Sequence, residues 1–118
     1  MIGLPGETEE DIVETIDLMN QVKIHGVKIH STYVVDNTKL HTMYQTGKYT
    51  PITIEYYIQQ VIFILTHLDS SIIIHRITGD APKSSIVAPT WTTHKKRVLN
   101  AVEKIMKENN FSQGMYTK

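Results

Sequence analysis

The sequence contains no cysteine, and this absence removes several kinds of chemistry. Without thiols the chain forms no disulfide, offers no Cys nucleophile and supplies no thiolate to zinc or to an iron–sulfur cluster. Net charge is absent too, because 12 basic and 12 acidic side chains cancel, so the charge balance indicates neither a nucleic acid nor a membrane as partner. No apolar run approaches the roughly 18 residues of a membrane-spanning helix, and no secretory signal stands at the start. We therefore expect a cytoplasmic protein with no membrane partner.

Common catalytic motifs are missing as well. The sequence has no H-E-x-x-H, no G-x-x-x-x-G-K-[ST] and no G-x-S-x-G. The histidines at positions 25, 30, 41 and 67 have no carboxylates at the spacing of metal ligands. We therefore predict no metal site within this chain.

The charge that is present divides unevenly along the chain. Six acidic residues and no Lys or Arg lie between positions 1 and 22, whereas seven basic residues lie between positions 83 and 118 against Glu103 and Glu108. Two interpretations stay open. The two segments are solvated helix faces of opposite sign, or the basic segment is a surface for a phosphate-bearing substrate.

Apolar stripes at helical spacing alternate with runs of β-branched residues. The predicted elements are, in order, a helix that Thr8 caps and that ends near residue 22, a strand over 26–35, a short helix over 40–45, a long helix that Thr53 caps, a strand over 72–78, a loop over 81–89 and a helix over 93–109. Residues 111–118 form a tail that is either frayed or packed. This order predicts an α/β fold in which parallel strands alternate with helices through right-handed crossovers.

The chain reads as though it starts inside a secondary-structure element. Met1 and Ile2 come directly before Gly3-Leu4-Pro5-Gly6, which resembles a loop that leaves the end of a strand. Only two complete strands follow, and a two-stranded parallel sheet with free edges is unusual by itself. We expect either that part of the sheet is missing or that the chain forms a homodimer through its sheet edges.

Candidate site residues lie where the predicted strands end, because sites in parallel α/β folds form there. The first candidate is the turn from Gly3 to Glu7, where glycines let the backbone approach a ligand and the next helix offers unpaired N–H groups. The same pattern is also that of an ordinary turn between a strand and a helix. The second candidate is His30, which either points into the lumen of a barrel or is a hydrogen-bonded group of the core.

The third candidate segment begins where polar residues interrupt the apolar run of the 72–78 strand. Strict alternation predicts His75 and Ile77 on one face and Arg76 and Asp80 on the other. Arg76 and Asp80 either neutralise each other or bind and orient a carboxylate or phosphate. Trp91 either anchors a loop or stacks on a planar ligand. Trp91 and Lys95 complete the candidate set.

Several motifs resemble those of a known family. Met-Ile-Gly-Leu-Pro-Gly-Glu-Thr-Glu-Glu-Asp, at residues 1–11, is similar to the strand-loop-helix segment of radical S-adenosylmethionine (SAM) enzymes, in particular the elongator-like proteins often called Fe-S oxidoreductases. Val27-Lys28-Ile29-His30 and Thr38-Lys39-Leu40 resemble the same subfamily in the same order. The more specific stretch comprises His75-Arg76-Ile77-Thr78-Gly79-Asp80-Ala81-Pro82 and Ala88-Pro89-Thr90-Trp91. The resemblance covers nearly the whole chain.

This resemblance implies a fold and a chemistry. It implies that residues 1–118 are the C-terminal part of a partial or full TIM-like barrel whose N-terminal part carries a C-x-x-x-C-x-x-C loop. In the family, three thiolates of that loop bind a [4Fe-4S] cluster, SAM binds the fourth iron, and reductive cleavage of SAM gives a 5′-deoxyadenosyl radical that acts on a substrate. Because this chain lacks the loop, the resemblance implies a fragment that is inactive alone and has neither cofactor bound to it.

The resemblance also assigns roles to residues. Glu7 would hold its loop in shape rather than contact the reacting centre. The residues implied on the SAM side, near the adenine, are Ile2, Gly3, Gly6 and Glu7. The candidates implied on the substrate side are His30, His75, Arg76, Asp80, Trp91 and Lys95.

The substrate itself stays open. Family members that modify tRNA suggest an RNA substrate, and Lys95, Lys96 and Arg97 are compatible with phosphate contacts. The alternative to an enzyme fragment is a non-catalytic binding or interaction module, either dimeric or RNA-binding.

Overall fold

In the computed structural model, which describes residues 1–117, the first three helices begin at threonine caps. They are α1 (Glu9–Val22), α2 (Lys39–Gln45) and α3 (Ile54–His67). The hydroxyls of Thr8, Thr38 and Thr53 each accept a hydrogen bond from a backbone N–H of the first turn. The Asp11 carboxylate accepts from the Thr8 N–H at 2.8 Å, which completes a capping box and fixes the start of α1.

Three segments of the chain run parallel and side by side. β1 (Gly26–Lys28) pairs with β3 (Ile73–Arg76). On the opposite side of the first segment, the Ile2 N–H donates to the His30 carbonyl at 2.9 Å, and the Ile2 carbonyl accepts from the Thr32 N–H at 2.8 Å. The predicted parallel arrangement is confirmed, and the turn that starts at Gly3 follows a strand-like end.

The prediction of one strand over residues 26–35 is wrong. β1 ends at Lys28, and β2 (Val34–Val35) pairs antiparallel with β4 (Ile86–Ala88), which lies inside the predicted loop over 81–89. Val34 is fully buried and packs with Tyr49 and Ala88 in a small second core. A continuous run of β-branched residues gives no sign that the chain changes partner, because the partner of β2 is far away in sequence.

The main core lies between the parallel segments and the three longer helices. α3 packs against both α1 and α4 (Lys95–Glu108), and a 3₁₀ turn over Thr90–Thr93 comes before α4. Each large apolar side chain that is fully buried contributes about 1.5–3 kcal/mol. The buried residues of this core are Ile2, Ile12, Ile16, Ile29, Ile54, Tyr57, Val61, Ile64, Leu68, Ile72, Val98 and Val102.

An irregularity in the pairing of β3 changes which side chains face the core. Val27 lies opposite Ile74, but the next residue of β1 lies opposite Arg76, so His75 is an extra residue in the ladder. Ile77 consequently packs against the main core, whereas His75 is exposed. The prediction that His75 and Ile77 share a face is therefore wrong, because strict alternation does not hold across the irregularity.

The C-terminal tail is packed rather than frayed, within the described part of the chain. The Gln113 side-chain amide donates to the carbonyls of Asp69 and Ile72 at 2.9 and 2.7 Å. Asn20 on α1 adds two bonds, donating to the His67 carbonyl at 2.9 Å and accepting from the Asp69 N–H at 2.8 Å. We call this group the tail latch (Asn20, Asp69 and Gln113). The part of the predicted tail at Lys118 lies outside the described residues.

Within residues 1–117 no helix is both long and apolar enough to cross a bilayer. The homodimer through sheet edges stays a prediction.

Candidate functional site

The turn from Gly3 to Glu7 is held by hydrogen bonds on both sides of Gly3. The Gly3 N–H donates to Glu7 Oε1 at 2.9 Å, and the Gly3 carbonyl accepts from the Tyr49 hydroxyl at 2.8 Å. The Glu7 N–H donates to the Leu4 carbonyl at 3.0 Å. The carboxylate of Glu7 therefore closes its own turn.

The two glycines of this turn share a backbone conformation but differ in the space around them. Both have positive φ angles, +97° at Gly3 and +75° at Gly6, where other residues are strained. A Cβ at Gly3 would lie 3.0 Å from the Cδ1 of Ile52, whereas a Cβ at Gly6 would meet nothing within 4 Å. The backbone at Gly6 is therefore open to a ligand. A depression of about 280 Å³ lies along the turn, and Lys48 and Tyr56 are among the other residues that line it.

His30 and His75 each lie over a glycine of a neighbouring segment. A Cβ on Gly79 would come within 3.0 Å of the His30 Cβ, and a Cβ on Gly26 would come within 2.5 Å of the His75 Nε2. Along the β1 segment Gly26 and His30 alternate with Ile29, which is buried in the main core. The two imidazoles therefore lie on the face of the sheet that the helices leave uncovered.

Arg76, Asp80 and Lys95 form one exposed ion cluster at the end of β3. Arg76 Nη1 lies 2.7 Å from one carboxylate oxygen of Asp80, and Lys95 Nζ contacts the other. The three side chains are each about half exposed, at 50, 56 and 46%. Exposed pairs of this kind contribute about 0–1 kcal/mol, so the cluster organises charge more than it stabilises the fold.

Trp91 anchors the segment that leads into α4. Its indole N–H donates to the Ile52 carbonyl at 3.0 Å, and its ring lies 5.2 Å from that of Tyr57, centroid to centroid. Trp91 therefore holds this loop against the start of α3.

A family assignment can now be added to this geometry. Residues 24–108 match the family model described as the Radical_SAM C-terminal domain. The chain belongs to the radical SAM family. The family predicted from the motifs is thereby confirmed, and residues 1–23, including the turn at Gly3, lie outside the matched range.

Curated relatives of this radical SAM chain are longer proteins. It is 35% identical over 115 residues to the uncharacterized protein MJ0486 of Methanocaldococcus jannaschii, covering 97% of this chain and 36% of that protein. It is 31% identical over 114 residues to the uncharacterized protein YtqA of Bacillus subtilis, covering 97% of this chain and 35% of that protein. The chain thus spans about a third of the length of the curated relatives it matches.

A solved structure supports the fold. The chain superposes on the archaeal Elp3 of Methanocaldococcus infernus with an N-terminal deletion (1–46), with a TM-score of 0.76 and 21% identity. The match covers 96% of this chain and 26% of the Elp3 chain. At this level of identity the likeness establishes the fold alone.

The residues of this radical SAM chain do not fit an iron–sulfur cluster. The chain has no cysteine, and no three His, Asp or Glu side chains in residues 1–117 come together as a possible metal site. A [4Fe-4S] cluster in a family member would need thiolates from other residues.

Two tyrosines beside the strand ends escaped sequence reasoning. The Tyr49 hydroxyl reaches the carbonyl of Gly3, and the Tyr57 hydroxyl donates to the carbonyl of Ile77 at 2.7 Å. Burial raises the pKa of Tyr57 well above its usual range, and burial followed by the charge of Glu7 raises the pKa of Tyr49. In the sequence Tyr57 is one of the regularly spaced apolar residues of α3, and Tyr49 lies outside any periodic pattern.

Proposed function

We propose that this chain is the C-terminal part of the TIM-like barrel of a radical SAM iron–sulfur enzyme. In this proposal the Gly3–Glu7 turn lies on the SAM side, and the sheet face that carries His30 and His75 lies on the substrate side. One observation carries the proposal: Ile2 pairs in parallel beside the β1 segment, so the candidate turns leave neighbouring segments at the same edge.

The layering of the fold supports a barrel wall. α1, α3 and α4 contribute to one core, whereas His75, Lys28 and Ile73 are exposed in the strands. A barrel wall requires this division, because helices cover its outside and ligands enter at one end of its inside. The glycines beneath His30 and His75 let the two imidazoles lie close to the sheet.

The chain's own contribution to cofactor binding would be backbone rather than side-chain chemistry. The Glu7 carboxylate is engaged within its turn, and the Ile2 N–H and carbonyl are engaged in pairing. What stays available is the open backbone around Gly6. SAM, when bound at a reduced cluster held by another part of the enzyme, supplies the radical chemistry. This chain would position one side of SAM and one side of the substrate.

A chimera tests this proposal. The chain replaces the matching third of YtqA, the protein is reconstituted anaerobically, and SAM binding and release of 5′-deoxyadenosine are measured. Gly6→Val is expected to weaken SAM binding at least ~10-fold, because a branched side chain covers the open backbone. Gly47→Val is the matched control, since Gly47 also has a φ of +76° and open space around it.

The outcomes separate strain from binding. Both variants carry the same backbone strain, so a loss of SAM affinity confined to Gly6→Val supports the proposed role. Equal affinities in the two variants, with a folded and cluster-loaded chimera, would exclude the turn from the SAM side.

A second candidate function, RNA binding, is favoured by the start of α4. Its first turn carries Lys95, Lys96 and Arg97 and no acidic residue, the reverse of what the helix dipole prefers. These residues and Lys83 line a shallow depression of about 610 Å³. These cations repel one another and the positive end of the helix dipole. A surface that keeps them together is suited to bind the phosphates of an RNA substrate.

Salt dependence tests the RNA candidate. Binding of the chain to single-stranded RNA is expected to weaken steeply with added salt. The double variant Lys96→Gln, Arg97→Gln should reduce the salt slope by about 1.4, because each phosphate contact on a single strand contributes about 0.7. Lys104→Gln with Lys107→Gln, farther along the same helix, is the charge-matched control. Absent or salt-independent binding would leave the basic surface as a solvated face.

A further inference from the structure

The Gly3 peptide is held by one local bond and one distant bond. Glu7 lies within the same turn, four residues from Gly3, so its bond sets only the local shape. The Tyr49 hydroxyl bonds the Gly3 carbonyl from 46 residues away, in a buried position. The pairing of Ile2 with the β1 segment fixes where the turn begins, and the Tyr49 bond ties Gly3 itself to the second core.

The Tyr49 side chain is buried in the second core. It is 7% exposed and packs with Val34 and Ala88, which join β2 to β4. Its backbone N–H donates to the Met43 carbonyl near the end of α2, at 3.2 Å. The base of this side chain is therefore fixed by the second core, while its hydroxyl reaches the first strand end.

The surroundings keep the Tyr49 hydroxyl protonated and donating. Burial raises the pKa of Tyr49, and the negative charge of Glu7 raises it further. The same carboxylate accepts from the Gly3 N–H, so both groups that hold Gly3 lie close together. A tyrosine hydroxyl is protonated at neutral pH without any shift, and the raised pKa keeps the bond to the Gly3 carbonyl intact to more alkaline pH.

We propose that Tyr49 is a positioning residue through which the second core sets the place of the Gly3–Glu7 turn. That SAM is the ligand of this turn rests on the proposed function. The link between the second core and the turn, through the Tyr49 bond to Gly3, does not. In this arrangement the segment formed by β2, α2 and β4, which we call the antiparallel excursion, positions the turn and does not extend the parallel sheet. Movement of the excursion would move the SAM-side backbone with it.

Amide hydrogen exchange of the 118-residue chain tests the link, read by NMR at Gly3, Glu7 and Thr32. Tyr49→Phe keeps the ring and removes the hydroxyl, so exchange at Gly3 and Glu7 should rise roughly 10-fold. Tyr44→Phe, on the exposed side of α2, is the matched control and should leave exchange unchanged. Amides in the middle of α1 should be unaffected in both variants.

A second variant checks that the second core acts through Tyr49. Val34→Ala loosens the second core, and it should raise exchange at Gly3 in the wild-type background but not further in Tyr49→Phe. Unchanged protection of Gly3 and Glu7 in Tyr49→Phe would overturn the link. So would an equal effect of Val34→Ala with and without the Tyr49 hydroxyl.

The ligand role is read separately in the chimera. Tyr49→Phe is expected to weaken SAM binding about 3- to 10-fold, because the turn must be ordered on binding. A faster exchange with unchanged SAM affinity keeps the link and rejects the proposed function of the turn. Slow exchange with reduced SAM affinity rejects the link instead.

Discussion

The two ends of the parallel segments are held in different ways. At the end where β3 begins, the tail latch ties the loop after α3 through four partly buried hydrogen bonds made by Asn20 and Gln113. At the end where the strands finish, Arg76, Asp80 and Lys95 are about half exposed, and Gly6 is open. In parallel α/β folds the first kind of end serves stability and the second serves ligands.

This contrast explains why the site end contains so few stabilising contacts. Exposed ion pairs and open glycines contribute little to folding, yet they leave charge and backbone available to a ligand. Tyr49 and Tyr57 are among the stabilising groups at this end, because their hydroxyls donate to the carbonyls of Gly3 and Ile77. Substitutions at the two ends should therefore differ in how much they destabilise the fold.

The largest effect is expected at the latch end, for Leu68→Ala. Leu68 is fully buried directly after α3. Removing its side chain should lower the free energy of unfolding by about 2–5 kcal/mol. Urea denaturation followed by circular dichroism measures this. Leu18→Ala, at a position 59% exposed on α1, should change it by less than about 0.5 kcal/mol. Similar losses in the two variants would contradict the assigned packing.

Gln113→Ala should have the next largest effect. It removes two bonds, to the carbonyls of Asp69 and Ile72, each worth about 1 kcal/mol net. We expect the free energy of unfolding to fall by about 2 kcal/mol and limited proteolysis to release the tail earlier. Gln59→Ala, exposed on α3, is the control. An unchanged rate of tail cleavage would mean that the latch does not hold the tail.

Asp80→Asn, at the site end, should cost less than about 1 kcal/mol, because the ion cluster is exposed and screened. The same substitution frees two cations. We therefore expect Asp80→Asn to lower the free energy of unfolding slightly and to strengthen binding of a polyanion such as RNA. Equilibrium unfolding at low and high salt checks the first part. A loss as large as that of Gln113→Ala would remove the contrast between the two ends.

Local signals in the sequence were sufficient for the helices and for the order of the parallel segments. The Thr8 capping box and the apolar stripe of α3 act over a few residues, so they can be recognised without knowing the fold. The turn at Gly3 was likewise identified from its glycines. Arg76 and Asp80 were identified because polar residues interrupt the apolar run of the strand there. Family membership came from the motifs around these same positions.

Long-range contacts were not accessible in this way. The pairing of Val34 with Ala88, the irregularity at His75 and the bond from Tyr49 to Gly3 each join residues whose local sequences carry no mark of the partner. These contacts are decided by burial once the chain is compact. The roles of the candidate residues stay predictions, while the groups that hold the Gly3 turn and the end of β3 in place were missed.

The smallest expected effect is a pH dependence at the latch end. Hydrogen bonds from the Ser71 hydroxyl and N–H lower the pKa of Asp69 from its usual value of 3.8. The ionised carboxylate is therefore favoured in the folded state, and its contribution is present above the pKa of the unfolded chain. This contribution to stability is lost as the pH falls below about 4 and then through the lower pKa that Asp69 has in the folded state.

Asp69→Asn checks this because the amide keeps an acceptor for Ser71 and does not titrate. The midpoint of thermal unfolding should fall less steeply with acid in Asp69→Asn than in the wild type, whereas Glu103→Gln on α4 should retain the wild-type slope. Identical slopes in all three proteins would show that the latch is insensitive to acid. In that case the contrast between the two ends would rest on the Gln113 and Asn20 bonds alone, since those groups carry no charge.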